Sequence, residues 1–294
     1  QRLERPIGRG RIYRIVPSAP KTKATPRRGL EGAGIEELLD ELGHADAWWR
    51  LTSQRLLIER RALAAVDRLR QLLESGSSET TRLHALWTLD GLDATNVEDA
   101  RTAMSDDSPS LRTAGLRIAE RWPNDPRIRR RAVDLTMDSD RIVRTQAVLS
   151  VGVMPNREEV YLNVLRQHES DSFIRGAVVT GLAGRELAFL ETLMQDSTWP
   201  KTASQRELAD QLADGALRSG QDQRTGLFEL LVRLSTQSDP RSTMVMAAVG
   251  RSQRIDSQAP RSLPLSREPR GWLELAQSNH PVAKAAAESD WYIT

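Results

Sequence analysis

Asp140-Arg-Ile-Val-Arg144-Thr-Gln-Ala147 reads as a helix start with an arginine one turn in. It has two close echoes, Asp107-Ser-Pro-Ser-Leu-Arg112-Thr-Ala114 and Asp171-Ser-Phe-Ile-Arg175-Gly-Ala177. In each, an acid suited to capping a helix precedes the arginine by four or five residues, and small or apolar helix formers follow. Outward from these three, the arginine recurs upstream at Arg50 and Arg82 and, without the flanking pattern of the other five, downstream at Arg206, with gaps of 32, 30, 32, 31 and 31 residues. Such a period is too short for a domain and fits one pair of short helices, so the chain is expected to stack helix pairs into an array. The expected fold is therefore all-α: a right-handed α-solenoid of about seven or eight helix pairs.

The helical period begins where Ile35, Leu38, Leu39 and Leu42 form an i, i+3, i+4, i+7 stripe, stopped by Gly43. Further helices are expected over 48–60, 62–73, 80–89, 95–104, 107–122, 125–137, 140–151, 156–167, 171–182, 185–194, 202–218, 225–236 and 240–249. Thr95-Asn-Val-Glu98 has the form of a capping box, and Pro109 and Pro126 fall early in first turns, where a missing N–H costs nothing. Residues 251–268 read as an inserted, irregular loop, and 269–277 with 281–288 as a short last pair. Ahead of the array, residues 8–16 alternate polar and apolar side chains at strand periodicity, so 1–16 reads as the remnant of a preceding sheet. Residues 17–34, with three Pro and little apolar content, read as a linker, which leaves 35–294 as the repeat domain.

The chain has no cysteine, which excludes disulfides, thiolate catalysis and Cys-ligated metal within it. No run of about 18 apolar residues exists, so no span of a membrane is expected. The pI of 9.2 invites a nucleic-acid reading, but the basic charge is local. Residues 1–34 hold nine Lys/Arg against Glu4 and Glu31, a net of +7, whereas the remaining 260 residues hold 33 basic and 38 acidic side chains. A mildly acidic body does not attract phosphates, so nucleic-acid binding is expected to be weak and confined to the tail.

No catalytic, cofactor or metal site can be placed. The arginines are expected to brace successive units, Arg112, Arg144 and Arg175 each bonding an acid or carbonyl near Asp107, Asp140 or Asp171, with Arg144 holding a buried acid. Of the seven tryptophans, Trp87 falls on the stripe with Leu83 and Leu86 and is expected in the core, while one of the adjacent Trp48 and Trp49 is expected to face outward. His44, His84, His168 and His280 have no ligand spacing, and His84 is expected to bond across helices. The acid pairs Glu36/Glu37, Asp106/Asp107 and Glu158/Glu159 match what exposed helix starts carry. Gly8-Arg-Gly10 is too short for a phosphate loop.

Three segments resemble a known family. Gly10-Arg-Ile-Tyr-Arg-Ile15 is similar to the closing strand of propellers in the soluble glucose/sorbosone dehydrogenase superfamily. Asp46-Ala-Trp-Trp-Arg-Leu-Thr-Ser-Gln-Arg-Leu-Leu-Ile-Glu-Arg60 and Arg82-Leu-His-Ala-Leu-Trp-Thr-Leu-Asp-Gly-Leu92 resemble the HEAT-like repeats that follow this propeller in large secreted proteins of planctomycetes and verrucomicrobia. In that propeller–HEAT–cytochrome c family a haem domain with Cys-x-x-Cys-His comes last. The resemblance implies that this chain is a non-catalytic scaffold within an exported or periplasmic dehydrogenase. It would connect the adjacent propeller and cytochrome c domains, or bind a protein on its concave face. The chain has no Cys-x-x-Cys-His and at most one propeller strand, so no cofactor is expected in it and none of that family's catalytic residues is carried over. The rival readings are a HEAT-repeat DNA glycosylase, against which the acidic body argues, and a phycobilisome-lyase type of repeat, for which no tetrapyrrole signal exists.

Overall fold

A computed structural model describes residues 29–253, 262–289 and 291–293. The strand expected at 8–16, most of the linker and the middle of the 251–268 loop lie outside them. The described residues form helix pairs in sequence order. These are α1 (Ile35–Glu41) with α2 (Ala47–Glu59), α3 (Val66–Ser75) with α4 (Glu79–Gly91), α5 (Val97–Met104) with α6 (Pro109–Ala119), and α7 (Pro126–Leu135) with α8 (Arg141–Val151). There follow α9 (Arg157–His168) with α10 (Ser172–Gly181), α11 (Glu186–Leu193) with α12 (Ala203–Arg218), α13 (Gln221–Thr236) with α14 (Arg241–Gln253), and the short α15 (Trp272–Ala276) with α16 (Ala283–Ala287). The second helices, α2 through α14, each pack on the next and make one layer of an α-solenoid; the first helices make the other. Between the layers runs one continuous apolar core, from Leu30 to Ala286, built mainly of Leu, Ala and Val.

Caps fix where the helices start. Asp46, Asp140 and Asp171 cap α2, α8 and α10 through their carboxylates, and Ser78 caps α4. The start of α6 is capped by Ser108 rather than Asp107, with Pro109 at the first helical position. The capping box of α5 likewise sits one residue later than its sequence form. Asn96 and Asp99 exchange side-chain-to-backbone bonds of 2.9 Å each, because Asp99 turns inward to meet Arg70 while Glu98 stays outside with Arg101 and Arg127.

Two segments are more ordered than their composition implies. The end of the stretch read as linker forms a 3-10 turn, Leu30–Gly32, with Leu30 buried. Arg60 fastens it by donating to the carbonyls of Ala33, Glu31 and Leu30 at 2.6, 2.8 and 3.3 Å. The end of the stretch read as an irregular loop forms β1 (Leu263–Leu265), which pairs in parallel with β2 (Trp291–Ile293). Leu263 and Leu265 are buried, and Arg224 of α13 donates to the Pro264 carbonyl at 2.8 Å. A two-stranded pair this short stands only because a helix covers one face.

The first-helix layer is thinnest at α9, which is held largely by Tyr161. Its buried ring meets Phe189 edge-on at 6.4 Å, and its hydroxyl donates to the Val148 carbonyl at 3.2 Å. Burial pushes the phenol pKa well up. The hydroxyl reaches that carbonyl only because Gly152 and Gly181 leave a slot; a Cβ on Gly181 would collide with it.

Candidate protein-docking face

Every ladder arginine occupies the same register. Arg50, Arg82, Arg112, Arg144, Arg175 and Arg206 each stand four residues after the N-cap of a second helix, and each backbone N–H closes the first helical bond to that N-cap carbonyl. From there the first five reach back across their own loop. Nη1 donates to the carbonyl two residues before the N-cap: His44, Gly76, Asp106, Asp138 and Glu169, at 2.6, 3.2, 2.9, 2.6 and 2.7 Å. The arginine thus satisfies carbonyls that stacking has removed from water.

The residue at that same loop position decides whether the arginine of the preceding unit is also gripped in a two-bond carboxylate fork. Where it is aspartate, the rung closes. Arg82 binds Asp106 through Nε and Nη2 at 2.8 and 3.0 Å, and Arg112 binds Asp138 at 2.9 and 3.0 Å. Each carboxylate also takes a backbone N–H at 2.8 Å, that of Ser108 or Asp140. The Arg112 and Asp138 side chains are only 12% and 9% exposed. Burial alone would raise the Asp106 and Asp138 carboxyls; the arginine and backbone hydrogen bonds and the arginine charges outweigh it and hold both below the ordinary range. Asp106, grouped from sequence with exposed helix-start acids, is therefore a half-buried rung.

Elsewhere the loop position offers no such acid. Gly76 has no side chain, and Arg50 instead donates Nε to His84 Nε2 at 3.3 Å. That bond assigns the His84 proton to Nδ1, which faces Gln54 Oε1 at 2.7 Å, so His84 does bond across helices. Burial, then the Arg50 charge, lowers its pKa below the usual 6.5 and keeps it neutral. Glu169, longer by one methylene, turns to Thr202 and Gln205 at the next helix start. Arg144 therefore holds no carboxylate, contrary to expectation, and its buried Nε has no partner. Arg175, 3% exposed, pairs with Glu207. Arg206 keeps the register but is exposed, because Arg241 from α14 takes the carbonyls of Met194, Asp196 and Trp199 in its loop.

Turned away from the ladder, the positions two, five and nine residues after each N-cap share an outward face. They carry Trp48, Leu51 and Arg55 on α2; Thr80, Leu83 and Trp87 on α4; Ser110, Thr113 and Arg117 on α6; Ile142, Thr145 and Leu149 on α8; Phe173, Gly176 and Thr180 on α10. Trp48, Leu51, Ile142 and Phe173 are 55, 58, 69 and 61% exposed. Trp48 meets Trp49 edge-on at 4.9 Å, Trp49 being the one packed on the core. Trp87, expected in the core, is half-buried: one side packs against the core and the other walls a groove of about 480 Å³ with Leu83, Thr113, Arg117, Asp140 and Ile142. A second groove of about 340 Å³ continues from Ile142 to Phe173, and a third of about 380 Å³ from Phe173 to Thr180, so α4 through α10 share one furrowed strip. Arg141 braces the middle of it, paired with Asp171 at 2.9 Å and lying 4.3 Å above the Phe173 ring. The Arg141 hydrogen bond brings the Asp171 carboxyl down to about 2.

Trp122 and Trp291 are half-buried, and Trp199 and Trp272 are buried. His44 accepts the Asp46 N–H through Nδ1, and His280 accepts that of Val282. Among the described residues no group of three or more His, Asp or Glu side chains is placed to hold a metal, and no helix is long and apolar enough to cross a membrane.

The fold and this strip define an α-helical repeat protein with an exposed, partly apolar face. No protein-family model matches the chain, and no curated protein matches it. Among solved structures, an engineered protein is similar over 87% of this chain and 77% of that one, at 14% identity and a TM-score of 0.38. A superposition that loose carries no argument.

Proposed function

We propose that this chain is a non-catalytic scaffold that docks a partner protein on its second-helix face. One observation carries the reading: large apolar side chains recur, exposed, at the same outward positions of stacked helices, joined by grooves, while the structural arginines face the other way. A contiguous strip of this kind on an otherwise charged surface is what a protein interface looks like before it is covered. On the propeller–HEAT–cytochrome resemblance, the scaffold belongs to a longer exported dehydrogenase and sets the separation between its propeller and haem domains. The partner is then one of those domains or a protein that serves them.

Hydrogen exchange tests this. In the longer protein, amides of α8 and α10 around Ile142 and Phe173 are expected to exchange more slowly than in this chain alone, and an Ile142→Ser, Phe173→Ser variant loses the difference. Equal exchange in both, with release of a modified base from alkylated duplex DNA, would favour the glycosylase reading instead.

A further inference from the structure

We propose that the groove between Trp87 and Ile142 takes an apolar segment of the partner that carries an acidic side chain opposite Arg117, an assignment that rests on the docking reading above. Three charged side chains line the linked grooves: Asp140, Arg141 and Arg117. Two of them are already engaged. The Asp140 carboxylate receives the N–H groups of Ile142 and Val143 at 2.8 and 3.0 Å, and Arg141 is paired with Asp171. Arg117 is exposed, and its guanidinium has no hydrogen bond or ion pair to any described residue. It therefore sits at the wall of a groove whose other sides are Leu83, Trp87, Thr113 and Ile142, with five N–H donors unused.

An apolar segment seated in that groove strips water from Arg117. The loss is offset only if the segment brings its own acceptor, and a carboxylate does so with the strongest geometry. A basic segment brings the opposite result, because Asp140 is already engaged by two backbone amides at a helix N-terminus, where the dipole disfavours a cation, and Arg117 repels it. A nucleic-acid strand is a poor fit as well: phosphates are tracked by rows of cations, and here one free arginine stands in an apolar furrow.

The test is selection of a random dodecapeptide phage library on the intact protein, followed by fluorescence anisotropy with the selected peptide and its Lys-for-Glu counterpart. Arg117→Glu and Ile142→Ser are the variants; both positions are exposed, so the core is left intact. The expected winners pair Leu, Ile or Phe with Asp or Glu. Arg117→Glu is expected to weaken the acidic peptide about tenfold and to strengthen its lysine counterpart, while Ile142→Ser weakens both. Winners with no acidic preference, or basic ones, overturn the charge assignment, as does an Arg117→Glu variant that binds both peptides like the parent. If Ile142→Ser still weakens those peptides, the docking face stands without it. No enrichment over the Ile142→Ser protein overturns both.

Discussion

The loops that lead into α6 and α8 place aspartate two residues before the helix N-cap, and the loop into α10 places glutamate there. That difference of one methylene separates the Arg82 and Arg112 rungs from the Arg144 rung. Asp106 and Asp138 cap their own turn and at the same time grip the arginine of the preceding unit in a two-bond fork. Glu169 reaches past that position to the next helix, and Arg144 is left with two loop carbonyls and an idle, buried Nε. The guanidinium's first task, holding its own loop, is common to five units; its second, forking to the carboxylate of the next loop, is performed by Arg82 and Arg112 and not by Arg144, where the next loop carries a glutamate.

The largest effect is expected where the fork is most buried. Arg112→Ala strands the Asp138 carboxylate and two loop carbonyls, and should cost about 3 kcal/mol in chemical denaturation, with neighbouring units loosened together. A loss equal to that of Arg144→Ala, which leaves no acid behind, would break the contrast between the two kinds of rung. Next to the Arg144 rung, α9 is held by the packing of Tyr161, so Gly181→Ala should cost about 2 kcal/mol by displacing the Tyr161 hydroxyl and with it α9. Exchange that rises at α9 more than at α5 would localise the damage as expected.

Acid probes both kinds of rung. A histidine or carboxyl whose pKa is lowered by folding stabilises the native state above its unfolded pKa, and that contribution is lost as pH falls through the folded one. Stability should therefore begin to decline below 6.5, through His84, and fall again below 3.8, through Asp106, Asp138 and Asp171. A His84→Gln variant is expected to lose the first decline and keep the second. The smallest effect belongs to Arg206, which keeps the register without the contacts; its alanine variant should change stability by about 0.5 kcal/mol or less.

Much of the array was legible in the sequence because the arginine and the helix caps recur at fixed offsets, and an offset within one helix is local information. The helix pairs, the caps Asp140 and Asp171 and the outward tryptophan of the 48–49 pair follow from it. The rungs were not legible, because Arg112 and Asp138 lie 26 residues apart and Asp106 looks like any acid at a helix start. Arg206, set apart from the row in the sequence, shows the same limit: its period is right, and only the three-dimensional path of the preceding loop gives its carbonyls to Arg241. The strip was half hidden. A lone Ile142 or Phe173 in a helix resembles core, and its exposure depends on which face the neighbouring helices leave open. Trp87 packs against the core as its apolar stripe implies, and only its second side, which walls a groove, was hidden.

The central claim is that aspartate at the loop position couples directly to the ladder arginine of the preceding unit and glutamate does not. Two double-mutant cycles decide it: Arg112→Ala with Asp138→Asn, and Arg144→Ala with Glu169→Gln, each followed by denaturation. The account predicts a coupling of about 2 kcal/mol in the first cycle and simple additivity in the second. Additivity in both, or equal coupling in both, would contradict it.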